Sequence, residues 1–180
     1  MRLTHSQYAV LGLIARHGPL TPYELKARVE ENVAPFWPIP HAQLYRDPPK
    51  LAALGLLAEE AEATGRRRRT FHLTDAGRTA LADWLADPIT PPAESRDPAR
   101  LKLAFTDLAR PGDLAALAKT QARVHRDLLE HYTARRAALD PDDVATPSRS
   151  RLLAYGILHE RARTAFWEAL CQEPPVDPLG

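Results

Sequence analysis

Two stretches concentrate side chains able to bond a polyanion or the edges of nucleic-acid bases. The first, HAQLYRDPPK at 41–50, carries His41, Gln43, Tyr45, Arg46 and Lys50. Gln matches an adenine edge and Arg a guanine edge, while Tyr bonds a phosphate or stacks and Lys reaches a phosphate. The second is the dense charge run Arg66-Arg67-Arg68-Arg69, set just before Phe71 and Leu73. A solvated turn is the common fate of such a run. Beside a base-reading helix it becomes a clamp for phosphates or the minor groove. Thr4, Ser6 and Tyr23 add hydroxyls near predicted helix starts, where phosphate ligands are frequent. Plain capping is the simpler role for Thr4.

The elements that must position these groups follow from local signals. Thr4 and Gln7 form a capping box, with Leu3 able to staple onto Tyr8, and Val10, Leu11 and Ile14 give the inward face. Gly18-Pro19 ends that helix. Leu20, Thr21, Pro22, Glu24 and Leu25 repeat the device and start a second helix running to about Asn32. Two such starts so close together imply a helix-turn-helix. Residues 35–40, PFWPIP, read as a largely extended bridge. A third helix then begins near His41, with Leu44 and Leu51 inward and Gly55 as terminator. Pro48 and Pro49 interrupt it, so it is expected to stop and restart there or to kink. Leu56–Glu62 and Arg67–Leu73 read as two strands joined at Ala63-Thr64-Gly65. Thr74 caps a fourth helix with an apolar stripe of Ala76, Ala80, Leu81, Trp84 and Leu85.

The four prolines between Asp87 and Pro98 mark a linker, and the chain beyond reads as helical. Leu101, Phe105 and Leu108 suggest one short helix. A long helix follows Pro111-Gly112-Asp113, with Leu114, Leu117, Gln121, Val124, Leu128, His131 and Arg135 at heptad-like spacing. After a break at Asp140–Ser148, a last helix runs from about Arg149 to Gln172. Leu152, Tyr155, Ala162, Phe166 and Ala169 line one face, with Leu153, Ile157 and Trp167 beside it. The domain reading is therefore 1–86, a linker at 87–98, a helical region at 99–173 and a disordered tail at 174–180. The class is mainly α with a small β-hairpin: a winged helix-turn-helix domain followed by an α-helical dimerisation region. The faces around Leu117, Val124 and Leu128, and around Leu152, Tyr155, Phe166 and Trp167, need a partner, within the chain or across a two-fold axis.

Composition narrows the rest. A formal net charge of +1 places any basic surface locally. One cysteine, Cys171, leaves no internal disulfide and suits a reducing cytoplasm, and no apolar run approaches a membrane span. The seven histidines form no HxH or HxxxH pair, so neither a metal site nor a cofactor is expected. Glycine-rich phosphate loops and nucleophile elbows are lacking, which argues against an enzyme. An apolar effector pocket between the domains could draw on Trp37, Trp84, Tyr155, Phe166 and Trp167. His159 and Glu160 are candidates for a switch, with a surface role the simpler reading.

The pieces QYAVLGLIARHGPLTPYEL, FWPIPHAQLY, KLAALGLL and RRRTFHLTDAGRTALADWL, in this order and spacing, resemble the PadR-like transcriptional regulators. The resemblance covers about residues 3–86 and extends loosely over 95–172. It implies a homodimeric repressor that binds a palindromic double-stranded operator and lets go when a small molecule or another signal binds. The alternative is a ligand- or protein-binding module of the same fold whose DNA recognition is impaired by Pro48-Pro49.

Overall fold

The computed structural model describes residues 3–61, 69–92, 94 and 96–172, arranged as two units, Met1–Pro92 and Ala93–Gly180. The first begins with α1 (His5–His17), α2 (Pro22–Asn32) and α3 (His41–Ala53). Both expected capping boxes form. The Gln7 N–H donates to Thr4 Oγ1 at 3.3 Å while the Thr4 N–H donates to Gln7 Oε1 at 2.9 Å. Thr21 and Glu24 repeat the exchange at 2.9 and 3.3 Å, with Pro22 opening α2. Each cap is worth about 1 kcal/mol to its helix, and together they set where the helix-turn-helix bends.

The bridge from α2 to α3 departs from the extended path expected for 35–40. Its first half is a turn in which the N–H groups of Phe36 and Trp37 donate to the Val33 carbonyl. Val33 and Ala34 satisfy the open Val29 carbonyl at the end of α2, so the chain curls before it extends through Ile39. At its far end α3 closes in a Schellman motif. Gly55, at φ +72°, donates to Ala52 O and Leu56 donates to Leu51 O.

Strands β1 (Leu57–Ala61) and β2 (Arg69–Leu73) pair antiparallel, with Leu57 opposite Leu73 and Ala61 opposite Arg69. Phe71 also exchanges two backbone hydrogen bonds with Leu20, which ties the hairpin to the α1–α2 turn. The core is Val10, Leu11, Ile14, Leu25, Val29, Leu44, Leu51, Leu57 and Phe71, drawn from every element between α1 and β2. Helix α4 (Asp75–Ala86), capped by Thr74, lies on it through Gly77 and Leu81. A Cβ on Gly77 would sit 2.1 Å from the Leu56 carbonyl oxygen, so close approach explains the glycine. The expected α4 stripe is not a buried face: Ala76 and Leu85 are exposed, and Trp84 stacks on Tyr8 with ring centroids 4.6 Å apart.

The second unit holds α5 (Pro98–Leu103), a 3₁₀ turn (Thr106–Leu108), α6 (Asp113–Ala137) and α7 (Thr146–Leu170). The single short helix expected through Leu108 is thus two pieces, and Leu101, Phe105 and Leu108 are exposed. Helix α7 starts earlier than Arg149 because Pro147 suits its first turn. The α6–α7 seam is Ala118, Ala122 and His125 against Ile157, Glu160, Thr164 and Trp167, one position round from the expected stripe on α6. Small alanines let the helices approach closely, and Trp167 fills the space beside them. Among the described residues no helix is long and apolar enough to cross a membrane.

Candidate nucleic-acid interface

Helix α3 is continuous across Pro48 and Pro49, so of the two expected outcomes, a stop and restart or a kink, the stop does not occur. The reason lies in packing. Leu44, Pro48 and Leu51 recur at i, i+4 and i+7 and are all buried in the core, so Pro48 acts as an apolar core residue. Burial of such side chains, worth about 2 kcal/mol each, offsets the two N–H groups that the prolines withhold from the Leu44 and Tyr45 carbonyls. Asp47 joins the buried side, with its Oδ1 3.8 Å from Arg46 Nε.

With that stripe inward, Arg46 falls near the centre of the outer face, Tyr45 and Lys50 on its two flanks, and His41 further round on the Tyr45 side. All four are exposed, Tyr45 at 53%. Tyr45 is therefore not tucked beneath the hairpin. Gln43 is half-buried on the Lys50 flank, a poorer position for a reader than the sequence suggests. His41 Nε2 lies 3.8 Å from Glu30 Oε1, a group that also meets Lys26. Tyr23, 74% exposed, stands on the first turn of α2.

Of the four arginines in the hairpin, Arg66, Arg67 and Arg68 lie outside the described residues. Arg69 forms a bidentate pair with Glu59 across the strands, Nη2 to Oε2 at 2.5 Å and Nε to Oε1, and its guanidinium lies 5.7 Å from the Phe71 ring. That hydrogen bond, with the Coulomb attraction, holds the Glu59 carboxyl below the usual carboxylate range and raises the Arg69 guanidinium, while partial burial opposes both. The geometry makes Arg69 a brace of the hairpin rather than a free cation.

In the second unit, Leu152, Tyr155 and Phe166 are exposed on α7, as is Val124 on α6, while Leu117 and Leu128 are half-buried. Trp167, expected on a dimer face, is 3% exposed within its own chain and belongs to the α6–α7 seam. Glu160 is likewise buried rather than on the surface. Its Oε2 meets His125 Nδ1 at 2.6 Å, and its Oε1 lies 3.5 Å from Arg163 Nη1. Sequence reasoning missed His125 because a histidine on an otherwise alanine-lined stripe announces no partner 35 residues away. Its spacing at i+3 from Ala122 was the available signal. The aromatics considered for an effector pocket are placed here unit by unit. Trp37 and Trp84 border His5 on the first unit's surface, whereas Tyr155, Phe166 and Trp167 divide between the open face and the seam of the second.

Two capped helices, a third with an open polar face and a trailing hairpin define a winged helix-turn-helix DNA-binding domain. Residues 10–83 match the model of the transcriptional regulator PadR-like family, and residues 95–172 match the virulence activator alpha C-terminal model. The chain is 27% identical over 163 residues to the negative transcriptional regulator PadR of Bacillus subtilis, spanning 87% of this chain and 89% of that one. The crystal structure of Bacillus subtilis PadR in complex with operator DNA superposes with a TM-score of 0.81 at 23% identity, over 95% of this chain and 98% of that one. Its complex with p-coumaric acid gives 0.77 at 22% identity, over 92% and 95%. Residues 10–83 thus belong to the PadR-like family of transcriptional regulators, and the chain's relatives are regulators rather than enzymes.

Two substitutions test the packing arguments. Pro49→Ala restores the N–H for the Tyr45 carbonyl. It should raise unfolding free energy by about 1–2 kcal/mol, the helix-interior penalty less the entropy that proline removes from the unfolded chain. Denaturant titration measures this, and operator affinity should stay within about threefold because Tyr45 and Arg46 are already helical. His125→Leu alone strands a buried carboxylate and should cost about 3–5 kcal/mol, whereas His125→Leu with Glu160→Leu should recover most of it. Equal losses in the single and double variants would contradict the pairing.

Proposed function

We propose that this regulator is a cytoplasmic homodimeric repressor that binds a palindromic operator through α3 and is released when a small molecule binds. The observation that carries the proposal is the open face of α3, whose Tyr45 and Arg46 project from a helix fixed by its buried stripe. Arg46 is the candidate for a guanine edge, Tyr45 and Lys50 for phosphates, and His41, Gln43 and Tyr23 for the periphery. Arg66, Arg67 and Arg68 are proposed to grip the backbone or minor groove, with Arg69 holding their strand in place. A two-fold axis would place two such helices about 34 Å apart, one turn of the duplex. The open residues Val124, Leu152, Tyr155 and Phe166, with Leu117 and Leu128 beside them, are proposed to form the dimer face.

Repression is supported by the relative described as a negative regulator, and a small-molecule effector by the related structure in complex with p-coumaric acid. The alternative of a fold with disabled DNA recognition is disfavoured by the continuity of α3.

The test is binding to the duplex upstream of the chain's own gene. With about four phosphate contacts, affinity should fall about a hundredfold between ~50 and ~200 mM salt, and sedimentation should give a dimer. A monomer whose weak binding ignores salt would contradict the proposal.

A further inference from the structure

Helix α3 carries one acid, Asp47, and it is the one charged side chain buried among the described residues of the first unit. A carboxylate so placed has given up most of its water and needs a cation within reach. Among the described residues its one ion-pair partner is Arg46, whose Nε lies 3.8 Å from Asp47 Oδ1. Lys50, three residues further along the helix, makes no ion pair with it.

The two ends of this contact differ. The Asp47 side chain is 6% exposed and that of Arg46 is 59% exposed. His41 and Glu30 stand at the same 3.8 Å, but both of those side chains are open. Water and salt screen such an outer pair, whereas a buried carboxylate is screened much less and keeps its pull on its cation. At 3.8 Å the Asp47 contact is longer than a hydrogen bond, so the pull is Coulombic. It engages the Nε edge of the guanidinium. The two terminal nitrogens stay clear of it, and they make a fork that matches O6 and N7 of guanine.

We infer that Asp47 is a positioning residue for DNA reading: it holds the Nε edge of Arg46 so that the outer fork meets a guanine edge. The inference rests on the reading of α3 as the base-reading helix and adds the residue that aims it. The burial of Asp47 matters as much as its charge. An open carboxylate on this face would repel phosphates, whereas a buried one steers the arginine from behind. An arginine restrained beforehand also gives up less side-chain freedom on binding.

The experiment is selection from a random duplex pool, with affinities measured on the selected duplex and on an unrelated one. It compares the wild-type chain, Asp47→Asn, Asp47→Ser, Arg46→Ala and Arg46→Ala combined with Asp47→Asn, with thermal unfolding confirming that each is folded. Both Asp47 variants should lose guanine preference at the position that Arg46→Ala also relaxes, with affinity for the selected duplex down roughly tenfold. Affinity for the unrelated duplex should hold or rise, because a negative charge has left the helix that meets the phosphates. The combined variant should lose no more than Arg46→Ala alone, since both changes remove one interaction. Guanine preference intact in the Asp47 variants overturns the inference while leaving α3 as the reader. An equal loss on both duplexes also overturns it, because that marks a merely structural role. Arg46→Ala with every preference intact would sink the reading of α3 itself, and the role of Asp47 with it.

Discussion

The outer face of α3, the candidate DNA-reading surface, depends on one piece of packing: the stripe Leu44, Pro48 and Leu51 pressed into the core beneath the helix. A helix of this length is marginal on its own, and two interior prolines make it more so. Its conformation is therefore imposed by the core rather than by its own hydrogen-bond ladder. The same stripe fixes rotation about the helix axis. Tyr45 and Arg46 point outward because their neighbours cannot leave the interior without exposing apolar surface. The Schellman closure at Gly55 and the bonds from Phe71 to Leu20 hold the two ends of the arrangement. The hairpin thus follows α3 at a fixed place, with the Glu59–Arg69 brace toward the loop end of its strands.

The second unit follows different logic. Alanines bring α6 and α7 together, and the polar pair His125–Glu160 sits inside that contact. A buried pair of this kind adds little net stability over apolar residues, but it penalises a sliding of one helix past the other, because either group alone would be stranded.

The capping boxes, the helix-turn-helix and the hairpin were legible because their signals are local: a threonine and its partner three residues on, a proline at N1, a glycine past the last turn. The outer residues of α3 were legible for the same reason, since Leu44 and Leu51 fix the inward face. Continuity through Pro48 was not, because a proline's local cost is visible in sequence whereas the buried slot that repays it is tertiary. The bracing of Arg69 depends on cross-strand register, and the placing of Trp167 and Glu160 on a one-position rotation of the α6–α7 seam. Amphipathic stripes of modest contrast leave that rotation open, as the exposed positions on α4 and α5 also illustrate.

The most direct measurement of the central claim is selection of bound sequences from a random duplex pool by the wild-type chain and by Arg46→Ala. If α3 presents Arg46 to a base edge, the variant should lose preference at one position in each half-site, at a cost of about 1–3 kcal/mol per contact. Preference elsewhere should be retained. An unchanged consensus with uniformly weaker binding would show that Arg46 meets only the backbone and that the outer face of α3 does not specify sequence.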